Sequence, residues 1–289
     1  MYPAAILGFS FLWYDAFEIT SDFSARPYRY WNAIKVEPNQ GTGEIQWYDT
    51  SMDLTYMHMG SPHGSPMGLP QIPDQLFLMP QRDKTGKWTS ARLEGKEAYG
   101  CPEGKQLILQ AELRVGNASS DRQGGIWPAF WALGESRNRG VEWPLCGEWD
   151  IMETSDGHDW SLASAHWGAV NANGQTEKYS LPGPDYSSHK NNYKHTDFHT
   201  WSIKVDRRDS DWKKQTLQWS MDGNLYYEVK GSDVNNFDQW KVVAHQKYYP
   251  VFNVAVGSNF PEHGTASDKT ATGIDAGMVV NYVAFYVSD

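Results

Sequence analysis

Gly147-Glu148-Trp149-Asp150-Ile151-Met152-Glu153 decides the reading of this chain. Three carboxylates fall within six residues, in a segment otherwise built from apolar, strand-forming side chains. On a regular strand successive side chains alternate faces. Glu148 and Asp150 then share a face with Met152, and Glu153 turns the other way. One bulged residue around Ile151-Met152 sets two residues against one and returns Glu153 to the Glu148 face. Three acids on one surface repel each other, and such an arrangement persists where chemistry uses it. A solvated edge strand is the plainer alternative. It accounts for an isolated glutamate, but poorly for three acids interleaved with Trp149, Ile151 and Met152.

Two carboxylates about 5–5.5 Å apart are the equipment of a retaining glycosidase: one attacks the anomeric carbon, the other protonates the departing oxygen and later activates water. Glu148 and Glu153 are the candidates for these two roles. Asp150 between them would hydrogen-bond to one of them, and its charge would help keep the acid/base protonated.

The flanking sequence carries a resemblance. Gly125-Ile126-Trp127-Pro128-Ala129-Phe130-Trp131-Ala132-Leu133-Gly134 precedes the acids, and Trp143-Pro144-Leu145-Cys146 leads into them. G-x-W-P-A-F-W-x-L-G followed by W-P-x-x-G-E-x-D-I-M-E resembles glycoside hydrolase family 16, and within it the laminarinase-like members with an E-x-D-x-x-E signature. The likeness extends to Gly41–Tyr48, Trp88–Leu93, Ala165-His166-Trp167-Gly168, Phe198–Trp201, Trp219–Gly223, Val251–Ser258 and Val280–Tyr286. It covers the chain from about residue 10 to the end. The acid motif and the W-P-A-F-W block are its specific parts.

The resemblance implies an all-β fold, a concanavalin A-like β-jelly-roll sandwich with a concave substrate cleft. It implies Glu148 as nucleophile, Glu153 as acid/base and Asp150 as the assisting residue. The implied reaction is endo-hydrolysis with retention of β-1,3 linkages, or mixed β-1,3/1,4 linkages, in a neutral polysaccharide, foremost a β-1,3-glucan. An endo-β-1,3-galactanase of the same family uses the same acids. A transglycosylase and a non-catalytic glycan-binding module are further alternatives, the last disfavoured by the intact acid trio.

Composition sets limits. The 289 residues are 40% apolar, enough for a sizeable core. No linker, charge block or repeat divides them, so a single domain over residues 1–289 is expected. Net charge is −10 without a basic cluster, which argues against nucleic acid and disfavours an anionic polymer. No apolar run approaches the ~20 residues of a membrane-spanning helix. The apolar start lacks a basic n-region, as in a mature chain whose signal peptide has been removed. With the sequon Asn117-Ala118-Ser119 and a polymeric substrate, secretion is the expectation, as is a monomer. No H-E-x-x-H or G-x-S-x-G points to a metalloenzyme or a serine hydrolase. Cys101 and Cys146 form one disulfide or stand as two buried thiols.

Short apolar runs alternate with turn signals, and helix content is expected to be low. Strands are expected over Gly8–Tyr14, Gln75–Met79, Lys105–Val115, Trp201–Val205, Thr216–Met221, Leu225–Val229 and Met278–Val287, with a tight turn at Asp222-Gly223. Residues 57–73 read as a Gly/Pro/Met/His loop, either a surface excursion or a cleft edge; His58 and His63 lack the acids a metal site needs. Residues 171–197 read as a long polar loop in which His189, Lys190 and His195 are solvated.

Fourteen Trp and sixteen Tyr serve both a core and a sugar groove, which wants flat apolar faces with polar handles. Trp127 and Trp143 are expected in the cleft. Trp131 shares a face with Trp127 but is also a core candidate. His166 and Arg92 are expected near the acids, and Gln123, Asn32 and Glu44 complete the set of substrate-binding candidates. Trp149 should face the sandwich interior. No cofactor is expected. Members of the family often hold a structural calcium through an Asp in the last strand; Asn281, a poorer ligand, stands there, although backbone carbonyls could still bind the ion.

Overall fold

A computed structural model describes residues 1–18, 29–50, 75–182, 191–260 and 265–289, with the backbone of Met57–Met59. Two antiparallel sheets face each other. With strands numbered in chain order, the first sheet runs β13 (Thr176–Leu181), β12 (Trp160–Val170), β11 (Glu148–Glu153), β10 (Ile126–Gly134), β18 (Tyr248–Val256), β8 (Arg92–Gly95) and β2 (Trp31–Ala33), and β14 (Asn191–Asn192) also pairs with β12. The second runs β17 (Asn224–Lys230), β16 (Thr216–Met221), β15 (His199–Asp206), β9 (Gln106–Val115), β19 (Met278–Ser288), β5 (Leu76–Leu78) and β4 (Met57–Met59), with β1 (Phe9–Asp15) paired to β19. A small third sheet joins β3 (Trp47–Tyr48), β7 (Trp88–Ser90) and β6 (Gln81–Arg82).

Side-chain alternation explains the layering. On β15, Trp201, Ile203 and Val205 are buried while Ser202 and Lys204 point outward, the pattern of a sheet with one solvated face. All nine residues of β18 are buried, because loops and neighbouring side chains cover its outer face too. Between the sheets Phe130 stacks on Phe252 at 4.8 Å, and Trp31, Trp149, Trp201, Trp219 and Phe285 are fully buried beside them. Eight of the fourteen tryptophans are buried, so the core takes most of the indole content and leaves few rings to a groove. Among the described residues helix is confined to short turns such as Gly231–Val234 and Phe237–Trp240.

The expected strands are present within one to two residues of their predicted ends. Asp222 and Gly223 both adopt positive φ, as a two-residue hairpin turn requires. The stretch 171–197 departs from expectation. Thr176–Leu181 is an edge strand paired to β12 from Ala165↔Leu181 to Val170↔Thr176; its polar residues belong to an edge left open to solvent, which reads like a loop in sequence. His195 is not solvated, since its ring Nδ1 lies 2.6 Å from Asp159 Oδ1 and its side chain is 12% exposed. His189, Lys190 and almost all of the 57–73 stretch, with His63 and the His58 side chain, lie outside the described residues. Both cysteines are free and buried, and burial pushes Cys101 up to about 12 and Cys146 up to about 11. Asn281 donates to Glu112 Oε2 at 2.9 Å and accepts from Gln75 Nε2 at 2.7 Å. Its amide oxygen is already bonded within the fold and does not offer a cation the ligand that the family's Asp would.

Candidate active site

Register places the acids. Along β10, Leu133 faces Glu148, Trp131 faces Asp150 and Ala129 faces Glu153. Four steps on β10 therefore match five on β11. On the other side His166 faces Glu148, Ser164 faces Asp150 and Leu162 faces Glu153, with the register shift between Asp150 and Glu153. The extra residue lies at Ile151-Met152. Trp149, Ile151 and Met152 all enter the main core, so Glu148, Asp150 and Glu153 stand together on the outer face, Trp149 facing inward as its position predicts.

Asp150 is 4% exposed. Its Oδ2 accepts from Ser164 Oγ at 2.7 Å and lies 3.1 Å from His166 Nε2. Glu148, Asp150 and His166 each bring one donor atom within 4.8 Å of the others. Such a trio could hold a cation, but the imidazole already bridges toward Asp150 and relieves the repulsion itself. Burial opposes protonation of His166; the hydrogen bond to Asp150 and the charges of Asp150 and Glu148 outweigh it and hold its pKa above the ordinary value.

The two glutamates differ in surroundings. Burial, then the Asp150 charge, push Glu148 up to about 8, against the pull of His166, Arg92 and Lys178. Burial, Asp150 and Glu148 push Glu153 well above the carboxylate range, and the opposing contribution is one hydrogen bond from Trp127. Trp127 Nε1 donates to Glu153 Oε1 at 3.2 Å, and its ring stacks on Phe260 at 4.6 Å. Cations thus surround one end of the acid row and an indole N–H serves the other. A pair of titratable groups pushed apart in this way divides into a base or nucleophile and an acid. The first proton leaves from the Glu148 end and the last stays on Glu153, with the macroscopic steps belonging to the pair.

The sequence-predicted sugar ligands sort into three groups. Trp127, Trp131, His166 and Arg92 lie on the face that carries the acids. Trp131 lies outside the main core and packs, partly buried, on the smaller cluster of Leu133, Cys146, Tyr249 and Val251; its Nε1 donates to Asn253 Oδ1 at 2.6 Å and Arg92 stacks over its ring at 4.7 Å. Arg92 also makes a two-bonded pair with Glu94 at 2.9 and 2.6 Å. Trp143, 43% exposed, stands at the rim with Lys178 Nζ 4.3 Å from its ring centre. Asn32 is exposed opposite Glu94 at the sheet edge, and Glu44 sits close enough to Tyr48 to act on its phenol electrostatically. Gln123 does not belong with them. It is 1% exposed and its amide donates to the carbonyls of Gly116 and Ala118, which makes it a brace for the turn before β10.

Sequence reasoning missed Ser164, Asn253, Tyr48, Glu94 and Lys178. Asn253 bonds Trp131 and Tyr48 Oη together. Its signal was present: one amide interrupts the apolar run Val251–Val256. Ser164 faces Asp150 two residues from His166, and the alternation Ser164-Ala165-His166 marks a polar face. Lys178 gave no signal because its strand read as a loop.

No family model matches the sequence. The fold and sequence are similar to those of an endo-1,3-β-glucanase from Streptomyces sioyaensis, at 26% identity and a TM-score of 0.77 with all of both chains covered. An endo-β-1,3-glucanase from Pyrococcus furiosus is similar at 25% identity and a TM-score of 0.62, over 97% of this chain and 95% of that one. Among curated relatives, a β-1,3-glucan-binding protein of Penaeus monodon is 28% identical over 62% of this chain and 50% of its own length. A keratan-sulfate endo-1,4-β-galactosidase of Sphingobacterium multivorum is 26% identical over 56% of this chain and 33% of its own. The chain spans between a quarter and a half of the length of the curated relatives it matches.

Proposed function

We infer that this chain is a laminarinase-like member of glycoside hydrolase family 16, an endo-acting hydrolase of β-1,3-glucan that works with retention at Glu148 and Glu153, a reading supported by its similarity to two endo-1,3-β-glucanases. The observation that carries this is the bulge of β11, which puts both glutamates on one face with Asp150 between them. In the first step Glu148 attacks the anomeric carbon while Glu153 gives its proton to the departing glycosidic oxygen, leaving a glycosyl ester on Glu148. Glu153, now ionised, takes a proton from water, and the water opens the ester. His166, Arg92 and Lys178 favour the ionised nucleophile; burial and the neighbouring acids keep the proton on Glu153 until it is used. Asp150, fixed by Ser164 and His166, supplies a charge that raises both glutamates, and the cations beside Glu148 divide the pair. A glucan chain would cross the strands between the Trp127 and Trp143 ends, with C–H faces of its rings on indole.

A polymer of this kind is met outside the cell, so the reading carries secretion with it, and a row of acids complete within one chain suits a monomer. The similarity to a keratan-sulfate endo-1,4-β-galactosidase favours a second reading, a β-galactan substrate. A binding module of the kind found among the relatives has no use for three mutually repelling acids.

Incubation with laminarin and with β-1,3-galactan tests both. New reducing ends from laminarin, with internal cuts in the product profile and a first product of β configuration by proton NMR, are expected. Ends from galactan alone would move the substrate to the second reading. An α first product would remove the nucleophile role of Glu148, and binding to glycan without new ends would overturn hydrolysis.

A further inference from the structure

The bulge that turns Glu153 toward the substrate has a counterpart across the core. On β11, Ile151 and Met152 together oppose one residue of β12. On β17, Trp219 of β16 faces Tyr227 and Ser220 faces Leu225, so Tyr226 is the unmatched residue. A bulge re-aims the side chain at the break and frees nearby peptide groups from the ladder. Here each event answers the other. Tyr226 Oη donates to the carbonyl of Ile151 at 3.2 Å. Its neighbour across the ribbon, Trp219, donates Nε1 to the carbonyl of Asp150 at 2.8 Å. Trp219 is fully buried, Tyr226 packs against the same core, and Tyr226 meets Trp201 edge-on at 6.4 Å.

We propose that Trp219 and Tyr226 are positioning residues, a clamp from the opposite sheet that fixes the β11 bulge and so the placement of Glu153. The clamp acts beyond the Glu148 position. Glu148 stands before the bulge and is set by Leu133 and His166 through regular pairing; Glu153 stands after it, and its side chain follows the peptide planes of Asp150 and Ile151. Buried carbonyls left without a donor move to find one, and an ångström of movement in an acid costs its proton transfer far more than it costs sugar binding. The inference rests on the acid/base reading of Glu153.

Tyr226→Phe keeps the ring and removes the donor. On laminarin kcat is expected to fall at least tenfold with KM within twofold. A dinitrophenyl laminari-oligosaccharide, whose leaving group needs no proton, is expected to release its first equivalent of dinitrophenolate within twofold of the wild-type rate. Equal losses on both substrates, or no loss on either, would overturn the clamp. Amide hydrogen exchange at Ile151–Glu153 gives a readout independent of activity: exchange there is expected to quicken at least tenfold, and unchanged protection overturns the proposal. If the wild type hydrolyses neither substrate, the enzymatic reading fails and the exchange result alone judges the clamp. Should Tyr226→Phe not fold, Trp219→Phe withdraws the other donor and is read by the same split.

Discussion

Trp127 donates its indole N–H to Glu153 across 3.2 Å, the one favourable contact set against three influences that keep that carboxyl protonated. A donor to a carboxylate stabilises its ionised form. Trp127→Phe keeps a ring against Phe260 and removes the donor. The pKa of Glu153 then rises further, and the alkaline limb of the kcat/KM profile is expected to move to higher pH, with the maximum falling by about tenfold as the acid loses its orientation. A limb that stays or moves to lower pH would show that Glu153 does not govern it.

Asp150→Asn is expected to shift the same limb the other way. The Asp150 charge raises Glu153 and Glu148 alike. With a neutral amide in its place, ionising Glu153 is easier, and the proton is lost at lower pH. Comparing the two variants by pH–rate profile separates electrostatics from general damage, because damage alone would not move the alkaline limb in opposite directions in the two.

The bulge was legible in the sequence because Glu153 sits one position out of phase with Glu148 and Asp150, and period two leaves no other way to gather them. The residues that distant strands bring to the acid-bearing face were less legible. Asn253 and Ser164 act through partners 122 and 14 positions away, and nothing local marks a side chain whose role is set by register. Gln123 failed for the opposite reason. Its closeness to Trp127 in sequence suggested the groove, but the turn at Gly124-Gly125 reverses the chain and buries the amide against Gly116 and Ala118. The edge strand Thr176–Leu181 was lost because solvent-facing edges carry polar residues on both faces.

The elevated glutamates carry a stability cost that depends on pH. A carboxyl whose folded pKa lies above its unfolded value of about 4.3 favours the fold when protonated, and that contribution is lost as pH rises through the folded pKa. Glu153 is such a group. Glu153→Gln holds the neutral shape at every pH. Its melting temperature is expected to be close to that of the wild type at pH 4.5 and to exceed it by about 2 °C or more at pH 8, a tenfold change in proton affinity being worth about 1.4 kcal/mol. A constant difference from pH 4.5 to 8 would contradict the buried, proton-holding environment.

Cys101 and Cys146 are separate thiols whose burial disfavours the reactive thiolate. The folded protein is expected to show no thiol titratable by dithionitrobenzoate at pH 8 and two after unfolding in guanidinium. A reducing agent is expected to leave the melting temperature unchanged. One thiol or none in the unfolded chain would mean a bridge.

Trp143 offers the most exposed indole of the site, with Lys178 over it at 4.3 Å. Lys178 is exposed and still acts on Glu148, which ties this rim to the Glu148 end of the acid row. If the ring is a platform for a sugar unit, Trp143→Ala removes about 1 kcal/mol of stacking, a rise of about fivefold in KM on laminarin, with kcat within twofold because the acids are untouched. Lys178→Met tests the cation separately. It removes a charge that favours the ionised form of Glu148, so the acidic limb of kcat/KM is expected to move to higher pH while Trp143 keeps its contact area. A KM unchanged in Trp143→Ala would put the sugar chain elsewhere on the face, and an unmoved acidic limb in Lys178→Met would separate this rim from Glu148.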